Sequence, residues 1–239
     1  NAGIRKSESD YIAFLDCDDY WHPLKLEFQV KHLESHANCK AVFSNCFVND
    51  EITNKIYELL PKNDTTFSYF NLLTQKFRVM GSASSICVNL KALIELGYFD
   101  ETMSYGEDYD FWVRLAGDHK ICEVKDNHVY ITKRKNSMQQ RVKTGNDLFK
   151  NANMYFYVWN KNSCFDRDSR KYFERLIAPD IVRGYLSAPL QTDSYIRSIK
   201  TRYPAIGTEI FGSTLQILRF QILAFSNSVI RVIKLLVKR

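Results

Sequence analysis

Apolar runs bounded by turn-forming polar residues divide the first 137 residues into alternating strands and helices, and the remainder into helices alone. Tyr11-Ile12-Ala13-Phe14-Leu15 is short, apolar and rich in β formers, which predicts a buried strand ending in Asp16-Cys17-Asp18-Asp19. Pro23 opens a helix to about His36, with Leu24, Leu26, Phe28, Val30 and Leu33 as its inward positions. Lys40 to Phe47 reads as a second strand. Val48 to Leu60 reads as a hairpin or loop excursion about Asn49-Asp50 and Thr53-Asn54. Thr66 is placed to cap a helix over 67–74, and Ser84 to Val88 forms a third strand. Asn89 caps a helix that ends at Gly97. Glu107 to Ala116 is helical with Gly117 as its stop, and Lys120–Val124 and His128–Thr132 are two short strands. Helical patterning then covers Met138–Asn160, Asp168–Ser187 and Asp193–Arg202. Pro204 and Gly207 break the chain before a last helix over 213–238. The expected architecture is an α/β unit (1–137), a helical extension (138–212) and an amphipathic C-terminal helix (213–239).

Composition narrows the class. In 239 residues, hydrophobic residues make up 45% and charged residues 25%, an ordinary globular balance that excludes disordered, collagenous and polytopic membrane chains. Only 9 Gly and 5 Pro argue against low-complexity linkers. The net charge of +6 is too small to indicate nucleic acid, but it suits an anionic substrate or membrane surface. None of the 6 cysteines forms a C-x-x-C pair and most lie in apolar runs, so buried, reduced thiols are expected. The five histidines show no spacing suited to a metal.

Two segments carry candidate chemistry. Carboxylates at the carboxyl end of a buried strand stand where ligands bind in α/β sheets. Asp16 and Asp18, at i and i+2, offer oxygen ligands to a hard divalent cation such as Mg²⁺ or Mn²⁺; the plain alternative is a solvated acidic turn. The second segment is Gly106-Glu107-Asp108-Tyr109-Asp110-Phe111-Trp112-Val113-Arg114. Its acids suit a helix N-terminus on electrostatic grounds alone, yet one of them is a candidate general base. Asp110 and Arg114 are an i,i+4 pair of orienting type. Gly81-Ser82-Ala83-Ser84-Ser85 is either an acceptor-side loop or a plain turn, and Tyr155, Phe156, Tyr157 and Trp159 read as helix packing.

These two segments together resemble the family-2 glycosyltransferases of the GT-A fold. Asn1-Ala2-Gly3, Phe14-Leu15-Asp16-Cys17-Asp18-Asp19-Tyr20-Trp21 and Pro23-Leu24-Lys25-Leu26-Glu27 match the pattern N-x-G, then F-L-D-x-D-D-x-W-x-P-x-K-L-E. Gly97-Tyr98-Phe99-Asp100-Glu101 and Gly106 to Leu115 match G-x-F-D-E followed by G-E-D-Y-D-x-W-x-R-L. The resemblance covers about 1–140. It implies a GT-A-type mixed sheet and a donor site formed by Asn1, Gly3, Asp16 and Asp18. Asp16 would face the nucleotide ribose and Asp18 a divalent metal, Mg or Mn. Asp108 would be the catalytic base, with Glu107, Asp110, Trp112 and Arg114 on the acceptor side or orienting it. The implied activity is inverting transfer of a sugar from a nucleotide-diphosphate donor to a hydroxyl of a cell-surface glycan or lipid-linked oligosaccharide. The alternative is a non-catalytic remnant that only binds.

Two departures from the family pattern modify this. The family's strand–helix units before N-x-G have no counterpart here, so the sheet is expected to be incomplete at its N-terminus and the 239 residues alone to hold a nucleotide sugar poorly. Arg134, in Ile131-Thr132-Lys133-Arg134-Lys135-Asn136-Ser137-Met138, stands where many members carry His. A guanidinium cannot ligate a metal but can contact a diphosphate, which leaves a third protein ligand open.

The C-terminal segment fits this setting. Thr214 to Arg239 is apolar apart from a narrow polar stripe, with Arg219, Arg231, Lys234, Lys238 and Arg239 and no acid. Its longest uncharged run, Phe220 to Ile230, falls short of the roughly 20 residues a membrane span needs. The helix reads either as packed on protein or as lying in the plane of an anionic membrane, which would place a cytoplasmic enzyme at the inner face of the cell membrane. On the membrane reading the chain sediments with anionic vesicles in a salt-sensitive way and a version ending at Gly212 does not. Equal sedimentation of the two returns the helix to packing.

Overall fold

The computed structural model describes residues 1–59, 68–75, 79, 82–118, 120–135, 148–162, 166, 169–212 and 220–221. The chain divides into two compact units, Asn1–Arg141 and Val142–Arg239.

Among the described residues the first unit is a six-stranded mixed sheet with helices. Its strands are β1 (Tyr11–Ala13), β2 (Tyr20–Trp21), β3 (Cys39–Asp50), β4 (Lys55–Leu59), β5 (Ile86–Asn89) and β6 (Lys120–Lys133), in the order β1-β5-β3-β6-β2 with β4 on β3. The long strands β3 and β6 run parallel in the centre, and every other pairing is antiparallel. The two strands expected at 120–124 and 128–132 are one strand, because register shifts at Ser44/Asn45 and Asn45/Cys46 let β6 follow β3 without a break. Ala41, Val42, Phe43 and Cys46 on β3 and Ile86 and Val88 on β5 form the buried centre. The hairpin of β3 and β4 turns through Glu51–Asn54, where Asn54 takes φ 53° and the Asp50 carboxylate accepts from the amides of Ile52 and Thr53.

Helices α1 (Ala2–Arg5), α2 (Lys25–Ser35), α3 (Tyr69–Leu73), α4 (Leu90–Glu95) and α5 (Glu107–Asp118) complete this unit, with a 3₁₀ turn at Ser82–Ser85. Asn89 caps α4 as expected, its side chain accepting from Ala92 N at 3.2 Å. Ser68 caps α3 by accepting from Asn71 N; Thr66 lies outside the described residues.

The inward face of α2 departs from the sequence expectation. Leu24, Leu26 and Phe28 are exposed, and Lys25, Gln29 and Leu33 are buried. Leu33 faces inward as expected, against Val42 and Cys87, but in the N-terminal half of the helix the same face carries Lys25 and Gln29 against polar partners, which reverses the pattern inferred there from hydrophobicity. Lys25 Nζ donates to Gln29 Oε1 at 2.8 Å and lies 4.0 Å from the Trp21 ring centroid. Gln29 Nε2 in turn donates to Ser85 O at 2.7 Å. Burial pushes the Lys25 ammonium down to about 8.

The cysteines also correct the sequence reading. Cys39 at the start of β3 and Cys122 on β6 are joined as a disulfide with Cα atoms 6.0 Å apart, although 83 residues separate them in the chain. Parallel pairing of β3 with β6 creates this proximity, which spacing along the chain cannot reveal. Cys46 and Cys87 remain buried thiols, raised by burial to about 12 and about 11.

The second unit contains α6 (Lys150–Lys161), α7 (Arg170–Ser187), α8 (Pro189–Arg202) and α9 (Pro204–Phe211). Phe156, Trp159, Phe173 and Phe211 are fully buried, with Phe156 and Trp159 each 4.9 Å from the Phe173 ring, so the aromatic run is core. Buried Asp180 accepts from Ala152 N at 2.9 Å, satisfying a donor in the first turn of α6. The chain breaks at Tyr203 as expected, and Pro204 opens α9, where its missing N–H costs no bond, whereas Gly207 lies inside α9 rather than breaking it. The expected helix over 213–239 lies outside the described residues, Phe220 and Gln221 excepted. Among the described residues no helix is long and apolar enough to cross a membrane.

A Cβ at Gly207 would meet Lys200 Cα at 2.9 Å and Ile199 O at 3.0 Å, both backbone atoms that cannot rotate away. Gly207→Ala gains up to about 1 kcal/mol of helix propensity but loses more by driving α9 off α8, for a net destabilisation of about 1–2 kcal/mol. Urea unfolding of the variant measures this directly.

Candidate active site

The site forms where β1 ends. After Ala13 the chain leaves the sheet and turns at Cys17-Asp18, with Asp19 N donating to Asp16 O at 3.1 Å. Two anchors fix this turn. Ser84 Oγ accepts from Asp16 N at 3.0 Å and donates to Asp19 Oδ2 at 2.6 Å. Thr132 N, near the end of β6, donates to Asp19 Oδ1 at 2.9 Å. Trp21 Nε1 donates to Ser84 O at 2.8 Å, so the 3₁₀ turn is held from both sides of the acidic segment. Asp19 and Ser84 thus organise the turn. Sequence reasoning left Asp19 as an unassigned third acid and Ser84 as a loop residue, and the second Asp of the D-D pair was the available signal.

The second acidic segment arrives by a different route. Gly106 takes φ +75°, a left-handed conformation open to glycine, and its carbonyl accepts from Asp110 N at 3.0 Å to start α5. Glu107 and Asp108 therefore stand in the first turn, where the helix dipole favours negative charge.

The two acidic segments converge. The Asp16 carboxyl is pushed above its usual range first by loss of water on its inner side, then by the charges of Asp19, Asp18, Asp108 and Glu107. Desolvation also raises Asp19, while the Ser84 hydroxyl, the Thr132 amide and the Arg134 guanidinium act in the opposite direction. Asp16, Asp18, Asp19, Glu107 and Asp108 form one electrostatic cluster built from segments about 90 positions apart in the chain. Among the described residues their oxygens are not gathered into a ready three-ligand set; a hard divalent cation would relieve the repulsion, and Asp18 would be the residue to hold it.

The other candidate residues have visible structural partners. Asn1 clasps the 97–101 loop: its Nδ2 donates to Phe99 O and Glu101 Oε1, both at 2.8 Å, and Phe99 N donates to its Oδ1 at 3.1 Å. Around Gly3 an added Cβ would meet nothing within 4 Å. Asp110 is fully buried and accepts from Arg114 Nε at 2.9 Å. Arg114 extends that pair to Leu96 O and Tyr98 O, both at 2.7 Å, and so satisfies carbonyls where α4 ends in the left-handed pair Gly97 and Tyr98. Trp112 is buried among Phe99 and Phe111. Arg134 pairs with Glu51, with both side chains half exposed, and its charge also reaches Asp19.

The sequence profile described as "Glycosyltransferase like family 2" matches residues 1–171. This chain belongs to that family. It is 32% identical over 128 residues to an uncharacterized glycosyltransferase of Methanocaldococcus jannaschii, an alignment covering 53% of this chain and 43% of that protein. It is 22% identical over 161 residues to the amylovoran biosynthesis glycosyltransferase AmsE of Erwinia amylovora, covering 66% and 54%. The chain thus spans about half the length of the curated relatives it matches. Among solved structures it superposes on S. aureus TarS 1–349 in complex with UDP with a TM-score of 0.52 at 13% identity, covering 94% of this chain and 67% of that one. A second TarS structure gives 0.54 at 14% identity, covering 86% and 37%. The fold is therefore GT-A-like, an α/β mixed sheet with helices.

The Asp110–Arg114 pair gives a stability prediction. Arg114→Met leaves a buried carboxylate without its cation and two carbonyls without a donor, a loss of about 3–5 kcal/mol in chemical denaturation. Asp110→Asn keeps an acceptor for the guanidinium and loses less.

Proposed function

We propose that the protein transfers a sugar, with inversion, from a nucleotide-diphosphate donor to a hydroxyl of a cell-surface glycan or a lipid-linked oligosaccharide. The convergence of the Asp16–Asp19 turn with Glu107 and Asp108 carries this reading. One cluster supplies both needs of the reaction: a place for a cation beside a departing diphosphate, and a separate carboxylate on another element. The UDP held by TarS and the amylovoran biosynthesis role of AmsE support the donor and acceptor classes.

Asp108 is assigned as general base. It stands in the first turn of a helix whose packed face, with Phe111, Trp112 and Leu115 buried, holds it in place. As the acceptor oxygen bonds to the anomeric carbon, the bond from that carbon to the diphosphate oxygen breaks, and the acceptor proton passes to the Asp108 carboxylate. Attack opposite the leaving group inverts the centre. Asp16 would face the donor ribose, and Asp18 would hold a divalent cation, Mg²⁺ or Mn²⁺. That cation, when bound, neutralises charge developing on the diphosphate. Asp19 keeps both oxygens engaged with Ser84 and Thr132, so it positions the turn. Arg134 beside Asp19 is the cation nearest in role to a diphosphate contact, and Asn1 and Gly3 complete the donor side. Glu107 assists on the acceptor side, with Asp110, Trp112 and Arg114 orienting α5. A lipid-linked acceptor and a basic C-terminal segment together favour work at the cytoplasmic face of a membrane.

In the protein carrying this chain, Asp108→Asn lowers turnover by about 10²–10⁴-fold, the usual span for loss of a general base, with donor affinity nearly unchanged by titration calorimetry. Asp18→Asn abolishes turnover and weakens metal–nucleotide binding. Loss of donor affinity in the Asp108 variant moves that residue to the donor side. No turnover by the wild type, with nucleotide still bound, leaves a binding module.

A further inference from the structure

The disulfide pair has a third neighbour. His32 on α2 offers a ring nitrogen to the two sulfurs of Cys39 and Cys122, and these three ligand atoms all lie within 4.8 Å of one another. The three residues come from three elements: the last turn of α2, the first residue of β3, and β6 near its start. Cys39 is buried and the other two are half-buried, so the cluster is open to solvent on one side.

The surroundings are ordered for binding. The His32 ring is stacked on His36, centroids 4.2 Å apart and planes 16° from parallel, which fixes its plane. Leu33, Val42 and Cys87 form an apolar core cluster together with Cys39, against which Cys122, Val124, Tyr11 and Ala13 pack. Cys39 N is held by His36 O at 2.7 Å, tying the end of α2 to the first residue of β3. The cluster lies at the starts of β3 and β6, whereas Thr132, which anchors the acidic turn, is near the end of β6. It therefore lies at the other end of the strands from the proposed active site.

A disulfide makes no use of an imidazole, but a borderline-soft cation does. Zinc takes thiolate sulfur at about 2.3 Å and imidazole nitrogen at about 2.0–2.1 Å in tetrahedral array, which sets the ligand atoms about 3.5–3.8 Å apart. The observed limit of 4.8 Å fits that array with modest side-chain rotation. We propose that, with Cys39 and Cys122 reduced, His32, Cys39 and Cys122 form a Zn²⁺ site whose fourth position is taken by solvent. Binding replaces the two S–H protons, which are released to solvent as the sulfurs become thiolates, and involves no change of oxidation state. The disulfide form has no thiolates and takes no metal, so the two states exclude each other. Bound metal fastens α2, which carries Lys25 and Gln29, to the central strands at its C-terminal end.

Cobalt(II) substitution tests this with a readout blind to carboxylate sites. The reduced chain is titrated with Co²⁺ in excess Mg²⁺, so that the acidic cluster is saturated with a spectroscopically silent ion. The expected result is one Co²⁺ per chain, with tetrahedral d–d bands and a near-ultraviolet sulfur-to-cobalt charge-transfer band, all displaced by one equivalent of Zn²⁺. Cys39→Ser and Cys122→Ser each remove or strongly weaken the charge-transfer band. His32→Gln, at a half-exposed position that leaves the fold intact by circular dichroism, lowers affinity at least about tenfold. Cys17→Ser leaves the spectrum unchanged. Oxidation by glutathione disulfide, which forms the protein disulfide and two glutathione thiols, abolishes binding. The proposal is overturned by a reduced wild type with no charge-transfer band, by a full band in the Cys39→Ser, Cys122→Ser double variant, by unchanged affinity in His32→Gln, or by binding to the oxidised chain.

Discussion

Concentrating negative charge against the dry end of a sheet is the constraint around which the first unit is arranged. Five carboxylates gather their charge there, and loss of water raises Asp16 and Asp19 above the usual carboxylate range. An acid whose folded pKa is raised costs folding free energy once pH exceeds its unfolded value, so at neutral pH Asp16 and Asp19 oppose folding. The fold compensates in specific places. Asp19 receives the Ser84 hydroxyl and the Thr132 amide, α5 presents its N-terminus to Glu107 and Asp108, and Arg134 adds positive charge at the edge.

The polar interior beneath α2 belongs to the same pattern. A buried ammonium disfavours folding below about pH 8, where Lys25 is charged, and this cost fades as pH rises toward the ordinary lysine range. Contact with the Trp21 ring and the bond to Gln29 offset part of it. Trp21 and Gln29 in turn bond the carbonyls of Ser84 and Ser85. A chain of contacts thus runs from α2 through the 3₁₀ turn to Asp19, and apolar substitutes could not reproduce its directionality.

The Asp110–Arg114 pair shows how one side chain can unite two segments that resemble separate motifs. Its guanidinium closes the end of α4 and fixes α5 at the same time. Asn1 holds the intervening Phe99–Glu101 loop from the other side. Residues that look like neighbours of the chemistry in the sequence thus also carry the scaffold that presents Asp108.

Local patterns in the chain determined the short-range features: the hairpin after β3, the Asn89 cap and the start of α5. Each depends on residues within a few positions of one another, where steric preference and capping geometry act. The motif spacing also identified the family and both acidic segments. The buried strand expected over Tyr11–Leu15, by contrast, is the shorter, half-buried terminal strand Tyr11–Ala13 with Leu15 exposed, because among the described residues it pairs with β5 alone. Tertiary structure decided what distant segments do to each other. It turned Lys25 and Gln29 inward because polar groups of β3 and the 3₁₀ turn await them. It merged two expected strands into β6 because β3 supplied a continuous partner. It brought Cys39 beside Cys122 and His32, and set Asp19 between Ser84 and Thr132. Those outcomes depend on which strands pair and in what register, and that choice is made by the free energy of the whole sheet.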